Sequence, residues 1–459
     1  MQGNALQTKA MKDCAEQFNT VIVGMGKTGY SCARFLTSKN VKFAMTDSRK
    51  TPPMLAVIRK EFAHVPLYTG GFDVQVLESA EHLILSPGVS RLDPAIVAAV
   101  RNGARICGDI ELFCRQAAAP IVAITGSNGK STVTTLVGEM VRASGLKAGV
   151  GGNLGTPALD LLAEGEVDFY VLELSSFQLE TVSSLNAAVA VVLNVSEDHM
   201  DRYSSMHEYT EAKARIYAGD GAMVINLDDP AVVNMQRKDR VTRCFTLREP
   251  QGDEYGVRSY GDVRWLVRGR EQLMPVTKIR MAGDHNVANA LAALALGSIL
   301  NLPKEHMLTV LRTFPGLPHR CQWTGEINGV HWYNDSKGTN VGASCAAIKG
   351  LARNRNLILI AGGDGKGADF SSLAEIASTY LRAAVLMGRD GPAIKKMLQN
   401  IVPVCDAADM DDAVMKAGRL AERGDVVLLS PACASFDMYE DYRARGEAFK
   451  SAVNRLAER

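Results

Sequence analysis

At 459 residues the chain is too long for one ordinary hydrophobic core, and its length suggests about three domains. Hydrophobic residues make up 47% and charged residues 22%, as in a globular protein, while 51 Lys+Arg against 50 Asp+Glu leave a net charge of +1. That balance excludes the electrostatic footprint of a dedicated nucleic-acid binder, so any anion must be held by a local site.

The N-terminal stretch to Gln17 carries Lys9, Lys12, Asp13 and Glu16 and lacks the apolar core of a signal peptide, and no role is assigned to it. No apolar run approaches the roughly 20 residues of a membrane-spanning helix. The nine cysteines, from Cys14 to Cys433, form no CxxC pair, which argues against a metal knuckle or a disulfide framework. The expectation is a soluble, cytoplasmic protein without membrane insertion.

Strand-like runs alternate with helical patterns along the chain, the signature of α/β architecture with parallel sheets. The runs are Thr20–Val23, Ile121–Ile124, Phe169–Leu172, Ala188–Leu193, Leu357–Ile360 and Val426–Leu429. Breaks near Gly108–Ala119 and at Pro315-Gly316-Leu317-Pro318 divide the chain into segments 1–109, 110–316 and 317–459. The polar, glycine-dotted stretch 238–282 reads as hairpins and loops within the middle segment.

In the first segment Val21-Ile22-Val23 enters Gly24-Met25-Gly26-Lys27-Thr28-Gly29 and then a helical pattern. Glycines in that context let backbone amides approach a diphosphate at a helix N-terminus. Asp47 ends the next strand, where an acid can meet a sugar hydroxyl, and Ser86-Pro87-Gly88 ends another at the same carboxyl edge. The pattern supports a diphosphate ligand but does not choose between NAD and a UDP-sugar. A tight turn with no ligand is the bland alternative.

In the middle segment, strand Ile121–Ile124 runs into Thr125-Gly126-Ser127-Asn128-Gly129-Lys130-Ser131-Thr132 and an apolar-periodic helix. Amides of such a loop cradle nucleotide phosphates, Lys130 supplies a cation, and the Ser131 hydroxyl can ligate Mg²⁺. The strict template needs glycine where Ile124 stands, so the match is to the shorter TGxxGK[ST] form. Glu173 ends a later strand, the usual place for a Mg²⁺ ligand beside a phosphate loop. His199 lies in the polar cluster Asn194–Tyr203 after a strand end, and Lys213 lies on a helix, where a solvated lysine is the bland reading.

Thr125–Thr132, Glu173–Leu179, Asn194–Tyr203 and Gly283–Asn289 together resemble the Mur ligase family, and the resemblance covers essentially the whole chain. It implies three domains: a Rossmann-like N-terminal domain that binds a UDP-sugar, a central P-loop ATPase-type domain with a parallel sheet, and a Rossmann-like C-terminal domain. The motifs are closest to the D-glutamate-adding members. These join D-glutamate to UDP-N-acetylmuramoyl-L-alanine with ATP, forming an acyl phosphate and releasing ADP, in peptidoglycan precursor synthesis.

The resemblance assigns residues as follows. The UDP-sugar falls to Gly26, Lys27, Thr28, Gly29, Asp47, Ser48, Arg49, Ser86, Pro87, Gly88 and Asn153. ATP falls to Gly126 through Thr132 (Gly126, Ser127, Asn128, Gly129, Lys130, Ser131, Thr132), with Asn286 and Asn289, and with Arg320, Asp335 and Lys337 reaching across from the last segment. D-Glutamate falls to Thr339, Lys366, Ser435, Phe436 and Tyr442; a dicarboxylate needs a cation and several donors, which this set contains. The catalytic set is Lys130, Glu173, His199 and Lys213. Mg²⁺, expected as two ions, falls to Ser131, Glu173, His199 and Lys213, the lysine being carbamylated by CO₂. A monomer is expected.

Other functions explain less. An NAD-dependent dehydrogenase accounts for Gly24–Gly29 but not for Thr125–Thr132 or Lys366. A folylpolyglutamate-synthetase-like ligase shares the ATPase logic but does not suit a separate N-terminal domain headed by Gly24–Gly29. A non-enzymatic nucleotide switch gives no reason for the two further ligand turns.

Overall fold

The computed structural model describes residues 19–458 apart from Asp201 and Ala282, so Cys14 and the segment to Gln17 lie outside the described residues. The chain folds as two compact units. The first runs to Thr125 and takes in Leu146–Ala190 and Glu211–Ala222; the second comprises Gly126–Gly145, Val191–Thr210 and the chain from Met223 onward.

In the first unit β1 (Thr20–Val23), β2 (Ala44–Asp47), β3 (Leu67–Thr69), β4 (His82–Leu85) and β5 (Arg105–Cys107) form a parallel sheet in the order β3-β2-β1-β4-β5. The short apolar run Thr20–Val23 is buried at every position, as expected of a central parallel strand covered on both faces. Val21, Val23, Leu83, Leu85 and Ile96 lie in one buried cluster. The strand order reverses between β1 and β4, which opens a crevice at their carboxyl ends beside the helix Lys27–Ser38. Also in this unit, β6 (Ile121–Thr125), β7 (Ala148–Gly152) and β8 (Phe169–Glu173) pair in parallel in the order β6-β8-β7.

The helix Asp109–Cys114 is tied to this unit by two carboxylates. Glu111 accepts from the amides of Ser183 (2.7 Å) and Ser184 (2.9 Å) and from Arg115. Burial pushes its pKa up, but these donors outweigh burial and hold it at about 2. Asp109 Oδ2 accepts from Gln178 Nε2 at 3.0 Å, whereas Oδ1 has no partner among the described residues. Burial dominates there and pushes the carboxyl up to about 6.

The chain passes between the units along β9 (Val189–Val192). In the second unit β10 (Ala222–Asn226), β11 (Thr242–Phe245), β12 (Tyr255–Tyr260), β13 (Val263–Arg268) and β14 (Glu271–Pro275) continue from it in the order β14-β13-β12-β11-β10-β9. β12, β13 and β14 form an antiparallel meander, the hairpins expected within 238–282. Next come β15 (Gln322–Ile327), β16 (Val330–Asn334), β17 (Leu357–Gly362), β18 (Leu381–Met387), β19 (Val404–Asp406) and β20 (Val426–Leu429), in the order β15-β16-β20-β17-β18-β19. All pair in parallel except β15 with β16.

Strands Thr20–Val23 and Val426–Leu429 match their expected limits, and the other four shift by one or two residues at their ends. The β15–β16 hairpin is not among the expected strands. Its turn is Asn328-Gly329, both left-handed (φ +54° and +77°), which is the strongest short hairpin signal a sequence carries. Among the described residues the cysteines are free, and no helix is long and apolar enough to cross a membrane.

Asp109 gives a stability prediction. Its folded pKa of about 6 lies above the ordinary 3.8, so between those values the folded protein holds a proton that the unfolded chain has lost. Stability from this group therefore falls as pH rises through that window, by about 3 kcal/mol at most. Asp109→Asn should raise the thermal midpoint relative to the parent at pH 7.5, and the gain should shrink at pH 4.5. A gain independent of pH would contradict the assignment.

Candidate active site

In the second unit the segment Gly126–Gly129 leads into the helix Lys130–Ala143, which places the first-turn amides and the positive end of the helix dipole at the loop. Two glycines make this path possible. Gly126 (φ +153°) packs against Leu193, and Gly129 (φ +82°) is left-handed, where a Cβ would also collide with Asn289 Oδ1. Asn194 pins the loop: its carbonyl accepts from Ser127 N (2.9 Å), its Oδ1 accepts from Asn128 N (2.8 Å), and its Nδ2 donates to Asn128 O (3.1 Å). The Lys130 ammonium donates to the carbonyls of Gly126 (2.7 Å) and Ser127 (2.9 Å) within the same loop.

The loop forms one side of a pocket of about 580 Å³. Asn128, Gly129 and Thr132 contribute from the loop and its helix, and Asn286 and Asn289 from the helix Asp284–Ile299. Arg320, Asp335 and Lys337 come from the segment around β15 and β16. Arg320 Nη2 donates to Ser131 Oγ at 2.7 Å, joining residues 189 positions apart. Asp335 is more enclosed than a ligand-facing acid. Its Oδ1 accepts from Cys321 N (3.1 Å) and its Oδ2 from Ser430 Oγ (2.7 Å), and burial pushes it up to about 6. The pocket also takes in Phe245 and Asp228, which the sequence motifs did not single out, and His285, which lies in the Gly283–Asn289 motif but is given no role there. His285 Nδ1 is buried without a partner among the described residues, and burial lowers the ring to about 4, so the imidazole is neutral.

His199 has left-handed backbone (φ +59°), its amide donates to Asp198 Oδ1 (3.0 Å), and its ring lies against Tyr209. Asn340 Nδ2 donates to Asp198 Oδ2 (3.2 Å) and to Asn128 Oδ1 (3.4 Å), so the residue beside Thr339 reaches both the phosphate loop and the histidine turn.

The five expected D-glutamate residues collect at the carboxyl edge of β16, β20 and β17, whose ends Asn334, Leu429 and Ile360 are in register. Lys337 Nζ lies 4.7 Å over the Tyr442 ring, and Thr339 N donates to the Lys337 carbonyl. Lys366 sits exposed at a left-handed turn (φ +52°). That turn is tied to the Ser435 loop by reciprocal backbone bonds between Asp364 and Ala434. Ser435 is buried, Tyr442 is half-buried, and Phe436 stands 67% exposed at the rim.

The first unit holds the other expected residues. Gly24 (φ +104°) packs on Ser86, Gly29 leaves no room for a Cβ against the Gly24 carbonyl, and Gly26 caps the helix Lys27–Ser38 facing open space. Lys27 and Gly88 are exposed, and Thr28 and Pro87 are half-buried. Asp47 is committed inside the protein. Oδ2 accepts from Met25 N (2.7 Å) and Arg49 Nη2 (2.7 Å), and Oδ1 from Arg49 N and Nε (2.9 Å each). Burial raises its pKa, but these donors prevail and leave it below the usual carboxylate value. Asp47 thus braces the Gly24–Gly29 turn, with the exposed Ser48 and Arg49 beside it.

Glu173 is buried at the end of β8 and accepts from Asn153 Nδ2 at 2.6 Å, while Gly152 is a glycine because a Cβ there would strike the Glu173 carbonyl. Lys213 is 2% exposed, so the bland picture of a solvated lysine does not hold. A cavity of about 980 Å³ in this unit, lined by Arg34, Phe62, Gln116 and Tyr170 among others, holds none of the expected site residues.

Comparison with known proteins follows the same segments. The Mur ligase MurD-like N-terminal domain matches residues 18–108, the Mur ligase middle domain 124–297, and the Mur ligase glutamate ligase domain 319–433. A UDP-N-acetylmuramoylalanine–D-glutamate ligase of Nitrosococcus oceani is 53% identical over 437 residues, covering 95% of this chain and 96% of that protein. The protein of that name from Pseudomonas aeruginosa is 50% identical over 439 residues, covering 95% and 98%. Among solved structures, a pseudomurein peptide ligase type C from Methanothermus fervidus shares the fold at a TM-score of 0.61 and 18% identity, covering 95% of this chain and 100% of that one. The UDP-N-acetylmuramate-alanine ligase of Thermotoga maritima does so at 0.60 and 18%, covering 95% and 99%. With all three domain models matched in order and half of the residues shared over nearly the whole length, this chain belongs to the Mur ligase family.

Proposed function

We propose that this protein joins D-glutamate to UDP-N-acetylmuramoyl-L-alanine in peptidoglycan precursor synthesis, consuming ATP and releasing ADP and phosphate. The observation that carries the reading is the reach of the C-terminal segment to the phosphate loop: Arg320 binds Ser131 while the same segment carries the Thr339, Lys366, Ser435 and Tyr442 cluster. ATP and an amino-acid substrate are thereby served by one unit. The name borne by relatives half-identical over nearly the full length supports the choice of substrates.

A carboxylate is an anion and a poor electrophile, so it does not condense with an amine unaided. Transfer of the ATP γ-phosphoryl to the muramoyl-alanine carboxylate gives an acyl phosphate, and the D-glutamate amine displaces phosphate from it. Such chemistry asks the protein to position reactants and neutralise charge. Gly126, Ser127, Asn128, Gly129 and Thr132 hold the phosphates with Lys130. Asn286, Asn289, Arg320, Asp335 and Lys337 complete the nucleotide pocket, Asp335 by bracing Cys321 and Ser430. The UDP-sugar goes to the turns at Gly26–Gly29, Asp47–Arg49 and Ser86–Gly88 with Asn153, D-glutamate to Thr339, Lys366, Ser435, Phe436 and Tyr442.

Ser131, Glu173, His199 and a carbamylated Lys213 form our Mg²⁺ set, with two ions. The Ser131 hydroxyl, the Glu173 carboxylate and a carbamate would be hard oxygen donors of the kind Mg²⁺ takes, and the ion when bound would neutralise phosphate charge. We divide the chain into UDP-sugar, ATP and amino-acid domains at 1–109, 110–316 and 317–459, acting as a cytoplasmic monomer.

Three outcomes test this. With ATP, Mg²⁺ and both substrates the products should be ADP and phosphate; AMP would indicate an acyl adenylate and overturn the mechanism. Lys130→Ala should abolish nearly all turnover in the same assay. Lys366→Ala should raise KM for D-glutamate far more than for ATP, since one charge-assisted contact is worth about 1.5–3 kcal/mol, roughly 10- to 150-fold; an unchanged KM would move the amino-acid site elsewhere.

Lys213 is the sharpest case. An ammonium offers donors and a positive charge, so an unmodified lysine cannot ligate a cation, whereas a carbamate offers two oxygens and a negative charge. Carbamylation needs the neutral amine, and the side chain that would carry it is buried rather than solvated. Lys213→Ala should be nearly inactive and partly rescued by acetate. Full activity would refute the role, and inactivity without rescue would reduce it to a structural one.

A further inference from the structure

Beneath the amino-acid cluster lies a buried cation that the chemistry above does not use. Arg445, on the helix Tyr442–Ala457, is 2% exposed. Its Nε donates to Ser336 Oγ (3.1 Å), its Nη2 to the carbonyls of Ser336 (2.8 Å) and Cys433 (3.1 Å), and its Nη1 to the Ala434 carbonyl (3.3 Å). All four acceptors are neutral. Among the described residues no carboxylate lies within ion-pair distance of the guanidinium; Asp437 and Asp335 act on it from farther away. A buried charge ordinarily has a counter-ion, because desolvation without one is costly. Burial lowers this one to about 10, which leaves it charged at neutral pH.

The acceptors are as telling as the charge. Ser336 stands between Asp335 and Lys337 and leads to Thr339; Cys433 and Ala434 lead to Ser435 and Phe436. Ser336 Oγ, while accepting from Arg445, donates to the Tyr442 carbonyl at 2.7 Å. The turn toward Lys366 closes over the same group, since a Cβ on Gly363 would lie 3.2 Å from Nη1. A planar guanidinium with five donors can hold several carbonyls in fixed directions at once, which a lysine cannot.

We propose that Arg445 is a positioning residue for the amino-acid substrate, clasping the segments that carry Thr339, Lys366, Ser435 and Tyr442 and leaving a positive charge beneath them that favours a dicarboxylate. The inference rests on the D-glutamate site proposed above. It predicts that the clasp matters more to the amino acid than to the nucleotide: Ser336 also neighbours Asp335 and Lys337 of the ATP pocket, but that pocket is pinned in addition by Asn194 and by the Arg320–Ser131 bond.

The test compares Arg445→Lys, which keeps charge but loses the fork, with Arg445→Met, which loses both, alongside Lys366→Ala. KM values for D-glutamate, ATP and the UDP-precursor are measured with kcat and the thermal midpoint. Both Arg445 variants should raise KM for D-glutamate by about 10-fold or more, Met more than Lys, and raise KM for ATP by a clearly smaller factor. Ser336→Ala cuts the Tyr442 link and the Arg445 Nε bond but keeps the buried charge, so it reads the clasp even if the Arg445 variants do not fold, and a rise of about three-fold or more in the same KM is expected. An unchanged D-glutamate KM in folded Arg445→Lys or in Ser336→Ala, or an equal rise for ATP, overturns the proposal. If Lys366→Ala also leaves that KM unchanged, the amino-acid site itself is misplaced; if Lys366→Ala raises it, the failure is that of the clasp alone.

Discussion

Backbone amides can ring a phosphate only where the chain turns sharply enough to bring consecutive N–H groups to one side, and that turn excludes side chains at its corners. Gly126 and Gly129 satisfy this constraint, one by close approach to Leu193 and the other by a left-handed conformation beside Asn289. The rest of the nucleotide site is built around the loop they permit. Asn194 locks it with three hydrogen bonds, Lys130 sits within it, and Arg320 arrives at the next residue but one after Gly129. The loop needs a strand behind it and a helix ahead of it, and β6 and the helix Lys130–Ala143 supply both.

The buried charges show a division of labour. Asp47 and Glu111 are carboxylates fully employed in holding backbone, and the donors that surround them keep them ionised. Asp109 and Asp335 have too few donors to offset burial, so both rise to about 6. Arg445 is the cationic counterpart, held by neutral carbonyls. Charged groups in a fold therefore sort into ligand-facing and frame-holding sets by the number of partners the protein itself supplies. An acid at a strand end, such as Asp47, can brace its own turn as well as sit where a motif points at a ligand.

The three family domains follow one plan, in which a parallel strand delivers a glycine turn to the carboxyl edge of its sheet. Gly24–Gly29, Gly126–Gly129 and Gly362–Gly367 repeat the device with different side chains. The first turn keeps open space at Gly26, the second encloses a lysine, and the third exposes Lys366. Chemistry is thus written in the few residues that follow each strand.

The sequence alone determined the α/β class, the position of six strands, the phosphate loop and the family, because these depend on short-range patterns: apolar runs, glycine spacing and the residues next to them. It also carried the Asn328-Gly329 hairpin signal, although β15 and β16 were not read from it. Tertiary structure decided everything that required distant segments to meet. Lys213, marked as a ligand only by the family resemblance while its helix neighbours Glu211 and Arg215 suggested a solvated face, is one of the most buried side chains. The sequence marks Asp47 as a strand-end acid, and the fold adds that its oxygens accept from Met25 and Arg49. Arg445 carried no motif at all, since its meaning lies in carbonyls 11, 12 and 109 residues away. A local pattern states what a segment can form, whereas burial and hydrogen-bond partnership belong to pairs of segments and exist only once the chain has closed on itself.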